Sequence, residues 1–388
     1  MRILHLCLAA FYIDNSSYQE NILPRMHKKM GHEIKIVAST ETFVDHKRLG
    51  YVKPSSYINS DGIPVKRIPY VSWIPSKLVH KLRIYKNVFG ELEEYVPDLI
   101  FIHNPQFLSI LSVRKYIMKH PSIKVVVDGH SDFYNSARTF FSYRILHRIV
   151  YRYCTRAIMP FSKAFYGTLP AREKFFIDVY GVPKSKVSLL HMGGDDEVIY
   201  SINKEKKDIA IRRQYNIKEN DFLIVTGGKL NHSRPETLSL LKAVVELKRP
   251  DIKIIFFGNV ADEYAEIFAE ICESPYVINV GWQPTEKTYE YMAAGDLVVF
   301  PGLHSVMWEQ AVALGKPCIF RKLEGFSHID IGGNAIFLED VSTEGILDVL
   351  KTVIDKNGDT YKKMKEVSSG TRKEEFLYSK IAERSINV

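Results

Sequence analysis

The stretch DLVVFPGLHSVMWEQAVALGKPCIF, residues 296–320, decides the fold. Its apolar run, 297–300, has the length of a buried strand, and Pro301 and Gly302 stop it. A short loop, 303–305, leads into a helical apolar pattern over 306–314 that Gly315 ends. After Pro317, the residues Cys318, Ile319 and Phe320 read as the next buried strand. Strand, glycine loop, helix, strand is the repeating unit of a parallel α/β sheet. Such sheets bind ligands at the carboxyl ends of their strands. Gly302, His304, Ser305 and Val306 therefore stand where a ligand would sit, and the free N–H groups at the helix start would suit a phosphate. Glu309 falls in the first turns of that helix. The helix dipole alone favours an acid there, but Ser305 lies one residue too far away to tie it up in a capping box.

With 388 residues the chain is too long for one ordinary core, and two domains are expected. Hydrophobic content of 46% and charged content of 25% are those of a soluble globular protein. No apolar run reaches the length of a membrane span. The opening, MRILHLCLAAFYIDN, is a short apolar stretch that carries His5 and lacks a small-residue cleavage site. It reads as a first buried strand, which implies a cytoplasmic protein. Cys7, Cys154, Cys272 and Cys318 are scattered through apolar patterns and read as buried free thiols. The net charge of +8 implies an acidic partner: phosphate, nucleic acid or an anionic membrane. Zinc-finger and RNP motifs are missing, which argues against nucleic acid.

Strand 2–10, helix 19–30 and strand 33–39 make a βαβ opening. It lacks GxGxxG, which argues against a nicotinamide cofactor. Loop and short strands are expected over 41–72, and a basic amphipathic helix over 73–95, with Lys77, Lys81, Arg83 and Lys86 beside Trp73, Leu78 and Leu82. Buried strands follow at 98–103 and 125–127. The stretch 137–158 reads as helical, with Arg144, Arg148, Arg152 and Arg156 on one face. Like charges on one stripe repel, so an anionic surface or phosphate is expected opposite them. Short strands at 157–161 and 187–191 complete the first half. A second series of strands opens at 222–226 and continues at 252–257, 277–280, 297–300 and 318–320. The organisation expected is an N-terminal domain 1–196, a linker 197–204, a second domain 205–372 and a last helix 373–388.

Lys229 follows the Gly227-Gly228 turn of the second half, and Arg234 comes five residues later. Two cations at a strand's carboxyl end can neutralise a diphosphate and stabilise it as a leaving group. His130 ends a strand after a glycine and suits a ligand contact or acid–base work. Asp128, His130 and Asp132 alternate and could share one face as metal ligands, but no fourth ligand is evident.

The ordered set PDLIFIHN, the His130 loop, MPFSKAF, VSLLHMGGD, VTGGKL with Arg234 after it, GWQPTEKTYEYMAAGDLVVFP and WEQAVALGKPCI resembles the GT-B glycosyltransferases. In particular it resembles their large retaining group that uses nucleotide-sugar donors. The resemblance implies two tandem Rossmann-like domains facing a cleft, with a last helix crossing back to the first. Lys229 and Arg234 match the basic pair that holds the donor diphosphate, with Gly228 in their turn. Glu309 matches the second acid of a Glu-seven residues-Glu motif that binds the ribose hydroxyls. His130 matches a histidine near the donor sugar, and Gly281 and Trp282 match the loop beside the base. Ser16, Ser17 and Tyr18 would face the acceptor. The implied activity is metal-independent hexosyl transfer from a nucleotide sugar to a saccharide or lipid-linked saccharide, with no further cofactor. It belongs to cell-surface polysaccharide or glycan assembly, with peripheral contact to the inner membrane face. One departure stands out: the motif's first Glu falls on Pro301, in a shortened loop. A non-catalytic GT-B subunit supporting a partner enzyme is the alternative. A sugar-nucleotide epimerase or glycogen-type phosphorylase on the same fold is the third reading.

Overall fold

The apolar run after Met1 forms strand Arg2–Cys7, paired in parallel with Glu33–Ser39 on one side and Leu99–His103 on the other. The computed structural model describes residues 1–44, 48–133 and 135–388. They form two units, Met1–His191 with Ile381–Val388, and Met192–Lys380.

The first unit carries a sheet of eight strands. From one edge these are Val187–Leu189, Ala164–Gly167, Lys124–Gly129, Leu99–His103, Arg2–Cys7, Glu33–Ser39, Pro64–Ile68 and Ser55–Ile58. All pairings are parallel except the last, where Ser55–Ile58 runs antiparallel to Pro64–Ile68. Near-continuous burial of the central strands is what helices on both faces require. The second unit repeats the plan with six parallel strands, in the order Val277–Asn279, Ile252–Phe257, Phe222–Gly227, Leu297–Phe300, Cys318–Arg321 and Ala335–Leu338. The decisive stretch folds as read: Leu297–Phe300 pairs with Cys318–Arg321, and helix Met307–Ala313 connects them. Cys7, Cys154 and Cys318 are buried free thiols, and Cys272 is partly buried.

Several local expectations give way to tertiary pairing. Residues 73–95 split into helices Ser76–Leu82 and Val88–Tyr95. Arg83 and Asn87 adopt left-handed backbone between them, while Tyr85 bridges Tyr70 and the Val71 N–H reaches Ile84 O at 3.0 Å. The expected strand at 157–161 is the end of helix Arg152–Ile158 and its closing turn, and the strand is Ala164–Gly167. Residues 197–204, expected as a linker, lie inside helix Asp196–Glu205, whose start is capped by the Asp195 carboxylate. The segment 137–158 winds as a π-helix over Ser142–Tyr151 before becoming α-helical. That winding breaks the regular stripe of arginines: Arg144, Arg148 and Arg156 are exposed, but Arg152 is half-buried and donates to Val179 O at 3.3 Å.

Candidate functional site

In the second unit the chemistry gathers at the carboxyl ends of Phe222–Gly227 and Ile252–Phe257. Gly228 has φ +116 and Gly258 φ +140, and a Cβ on Gly258 would lie 1.8 Å from Gly228 O. Only glycine allows the two strand ends to approach so closely. The Gly228 N–H donates to Phe257 O at 2.8 Å and the Leu230 N–H to Asn259 O at 2.9 Å, so the turn is fixed backbone to backbone. The Asn231 side chain takes the Ser233 N–H at 3.0 Å, and its carbonyl takes the Arg234 N–H at 2.8 Å. This turn aims Lys229 and Arg234 into a cavity of about 520 Å³ that they line with Gly228, Asn259, Trp282 and Met307.

The two cations differ in how they are held. Lys229 is exposed and has no hydrogen-bond or ion-pair partner among the described residues. Arg234 is partly buried and donates from Nη2 to His304 O at 3.1 Å. Burial works against its charge and Glu236 only partly offsets this, so the guanidinium gains from an anion placed beside it. Glu236 is itself paired with Arg321. Trp282 is 66% exposed on the loop after Val277–Asn279. That loop is pinned by the Gly281 N–H to Asn279 Oδ1 (2.9 Å), Gln283 Nε2 to Val280 O (2.6 Å) and the Gly258 N–H to Gly281 O (2.8 Å). An exposed indole on a fixed loop is a ready stacking surface for a planar ring.

Glu309 does not line this cavity. It is fully buried, and its Oε1 accepts from His304 Nε2 at 2.9 Å and His328 Nε2 at 2.8 Å. Burial opposes its charge, but the two histidines hold the carboxyl well below the usual carboxylate range. Gly302 packs beside the Arg234 stem, with Cγ 3.4 Å from where a Cβ would sit. The Ser305 and Val306 carbonyls serve the first turn of the helix, accepting from Trp308 N and Gln310 N at 3.0 Å each. Of the residues expected to touch a donor, Gly228, Lys229, Arg234 and Trp282 line the cavity; Gly281, Gly302, His304, Ser305, Val306 and Glu309 are not part of its lining. Sequence reading missed Asn259, Thr288, Leu303 and Met307 on the wall. Asn259 follows an identified strand by two residues, so the carboxyl-end rule would have found it. Nothing in the sequence marks His328.

In the first unit, His130 follows strand Lys124–Gly129 at its carboxyl end. Its backbone N–H donates to Asn104 Oδ1 at 2.9 Å. Its Nε2 lies 3.4 Å from Asp128 Oδ1 and 3.6 Å from Glu20 Oε1. Burial works against the imidazolium, but the Asp128 and Glu20 carboxylates outweigh it and lift His130 above the ordinary histidine value. Asp132, grouped with Asp128 and His130 as a possible ligand, is engaged elsewhere: Oδ2 with Arg172 Nε at 3.2 Å and Oδ1 with the Asn135 N–H at 2.8 Å. Among the described residues, the side chains close enough to share an ion are instead Glu20, His103 and His130 in this unit and His304, Glu309 and His328 in the other. Ser16, Ser17 and Tyr18 precede helix Gln19–Lys29; the serines are partly buried and Tyr18 is exposed.

No family model matches the chain, and no curated protein sequence matches it. Solved structures do. HepE of Anabaena, in complex with UDP, superposes with a TM-score of 0.66 at 15% identity, covering 99% of this chain and 98% of that one. A glycosyltransferase from Rickettsia africae gives 0.66 at 13%, covering 99% and 96%. WaaG, a glycosyltransferase involved in lipopolysaccharide biosynthesis, gives 0.65 at 16% over the whole of both chains. The UDP-GlcNAc 2-epimerase of Neisseria meningitidis gives 0.61 at 13%. The chain therefore has the GT-B fold, two Rossmann-like units in tandem, which these transferases and the epimerase share.

Proposed function

We propose that the protein is a glycosyltransferase that moves a sugar from a nucleotide-sugar donor to a saccharide or lipid-linked saccharide acceptor. The observation that carries this reading is the pairing of Lys229 and Arg234 on one cavity wall with Trp282 on another. Two cations suit a diphosphate and the indole suits a base. Full-length likeness to glycosyltransferase structures, one of them holding UDP, supports it. Lys229 and Arg234 neutralise the charge that develops on the departing diphosphate, which in this reading makes a divalent cation unnecessary. His304 and His328 hold Glu309 in place, and through the His304 carbonyl they brace Arg234. Retention at the anomeric carbon follows from the resemblance in sequence. Turnover of a panel of UDP-, GDP-, dTDP- and ADP-sugars, with and without saccharide acceptors, tests the reading. Nucleotide release from at least one donor is expected.

The acceptor belongs to the first unit, near Ser16, Ser17 and Tyr18. The same unit presents an exposed apolar and basic surface: Phe140, Phe141, Ile149 and Tyr153 beside Arg144, Arg148 and Arg156, with Lys81 Nζ 5.2 Å from the Phe141 ring centroid. Trp73 is 79% exposed just before helix Ser76–Leu82. Aromatic side chains flanked by arginines fit the headgroup layer of an anionic leaflet, and among the described residues no helix is long and apolar enough to cross a membrane. This supports peripheral contact with the inner membrane face and a lipid-linked acceptor in cell-surface glycan assembly. The second reading, a non-catalytic subunit, is favoured by the burial of Glu309 behind its histidines and by Pro301 in place of the first acid. Donor binding without turnover would select it.

A further inference from the structure

Three side chains of the second unit converge on one point. Glu309 comes from helix Met307–Ala313, His304 from the loop before it, and His328 from the turn Ser327–Ile329. His304 Nε2 lies 2.9 Å and His328 Nε2 2.8 Å from the same carboxylate oxygen, Oε1. Each oxygen of a carboxylate can accept, so anchoring Glu309 does not by itself require both rings on one of them. All three donor atoms lie within 4.8 Å of one another. The setting is closed: the side chains of Glu309, His304 and His328 are 0%, 8% and 2% exposed. It is also apolar. Trp308 and Phe326 pack on the His304 ring at 5.1 and 5.0 Å between centroids, and Phe376 lies 6.5 Å from the His328 ring.

Two imidazole nitrogens and a carboxylate oxygen converging inside an apolar shell are the donor set and surroundings of a zinc site. Ligand bonds of about 2.0–2.1 Å to a tetrahedral zinc ion set the donor atoms roughly 3.3 Å apart, so the trio admits an ion by spreading about half an ångström. The trio of the first unit, Glu20, His103 and His130, is less suited. There His103 is engaged through both ring nitrogens, Nδ1 with Asp128 at 2.7 Å and Nε2 with His5 at 3.0 Å.

We propose that His304, Glu309 and His328 bind a zinc ion, with water as the fourth ligand. Each ring binds through Nε2 as neutral imidazole, so its Nε2 proton moves to Nδ1 or leaves to solvent, and Glu309 supplies the negative charge. The ion ties the loop after strand Leu297–Phe300 to the turn after strand Cys318–Arg321. None of the three ligands lines the cavity that Lys229 and Arg234 share, so the ion is structural and does not handle the diphosphate. The site stands independently of the transferase reading.

Zinc binding to the untagged protein, stripped with chelator and dialysed, tests this. Wild type is expected to bind one equivalent by competition with a chromophoric indicator, and zinc is expected to raise its Tm. Cobalt(II) in its place is expected to give the strong visible absorption of a four-coordinate ion. His304→Gln and His328→Gln each keep a hydrogen-bond donor for Glu309 but lose a good zinc ligand. Each is expected to weaken zinc binding by about 100-fold or more, at least the loss that follows removal of an outer-shell partner. Their Tm should no longer respond to zinc. Wild type that binds no zinc overturns the proposal, as does the weak absorption of six-coordinate cobalt. Folded His304→Gln and His328→Gln that bind zinc as tightly as wild type place the ion elsewhere and overturn it too.

Discussion

His103 Nδ1 donates to Asp128 Oδ2 at 2.7 Å, and neither side chain is exposed. With Nδ1 donating there, Nε2 faces His5 Nδ1 at 3.0 Å, and His5 Nε2 faces His27 Nδ1 at 3.1 Å. His27 Nε2 ends the chain against Ser385 Oγ at 2.9 Å, tying the last helix of the first unit into the core. One buried carboxylate thereby orients three imidazoles. Burial, reinforced by the neighbouring histidines, pushes His5 well below the ordinary histidine range. Burial also lowers His27, to about 3, against the opposing pull of the Ala382 carbonyl.

An acid sensitivity follows. A histidine whose folded pKa is depressed binds its proton in the unfolded chain first, so the stability it preserves is present above about pH 6.5 and is lost as pH falls towards the folded value. Denaturant unfolding between pH 7.5 and 5 is expected to show stability falling below about pH 6.5, with a slope of up to about 1.4 kcal/mol per pH unit for each such histidine. In His27→Asn the slope should be shallower. A stability flat from pH 7.5 to 5 would rule out neutral buried imidazoles.

The buried trio in the second unit makes a different demand. Glu309→Ala leaves His304 and His328 facing an empty position, and removing one partner of a buried charged cluster costs about 3–5 kcal/mol. A fall in Tm of several degrees is expected, even with nucleotide absent. A variant as stable as wild type but deficient in nucleotide binding would place Glu309 at the ligand instead of behind it.

This trio also shows where sequence reading stops. The strand–loop–helix of residues 296–320 was legible because apolar runs and glycine stops are local signals, and the turn carrying Lys229 and Arg234 was legible for the same reason. That Glu309 turns inward depends on His328, which arrives from a short helical turn, Ser327–Ile329, after the next strand, with no pattern to announce it. The same holds for Glu20, which reads as an ordinary acid in a helix's first turn until the fold sets it beside His130. Arg152 looked equivalent to its neighbours at four-residue spacing, and the π-helical winding made it different.

Activity is expected to survive a strong chelator, because the cations facing the diphosphate are side chains. Loss of turnover in EDTA, restored by magnesium or manganese, would direct attention to Glu20, His103 and His130 as ligands.

Sedimentation with vesicles should distinguish charge from insertion at the exposed surface of the first unit. Binding to anionic vesicles is expected to exceed binding to neutral ones and to weaken as salt rises, each cation near the surface contributing about 1 kcal/mol. Phe140→Ser with Phe141→Ser should reduce the salt-resistant part. Equal binding to both vesicle types, or to neither, would make this an ordinary surface and the acceptor a soluble saccharide.

The central claim is that the second unit grips a nucleoside diphosphate with Lys229 and Arg234, and calorimetric titration of UDP tests it most directly. Wild-type protein is expected to bind, and Lys229→Ala and Arg234→Ala are each expected to weaken binding by roughly 10-fold or more, the effect of losing one charge-assisted hydrogen bond of about 1.5–3 kcal/mol. Binding of UDP with equal affinity by wild type and both folded variants would contradict it.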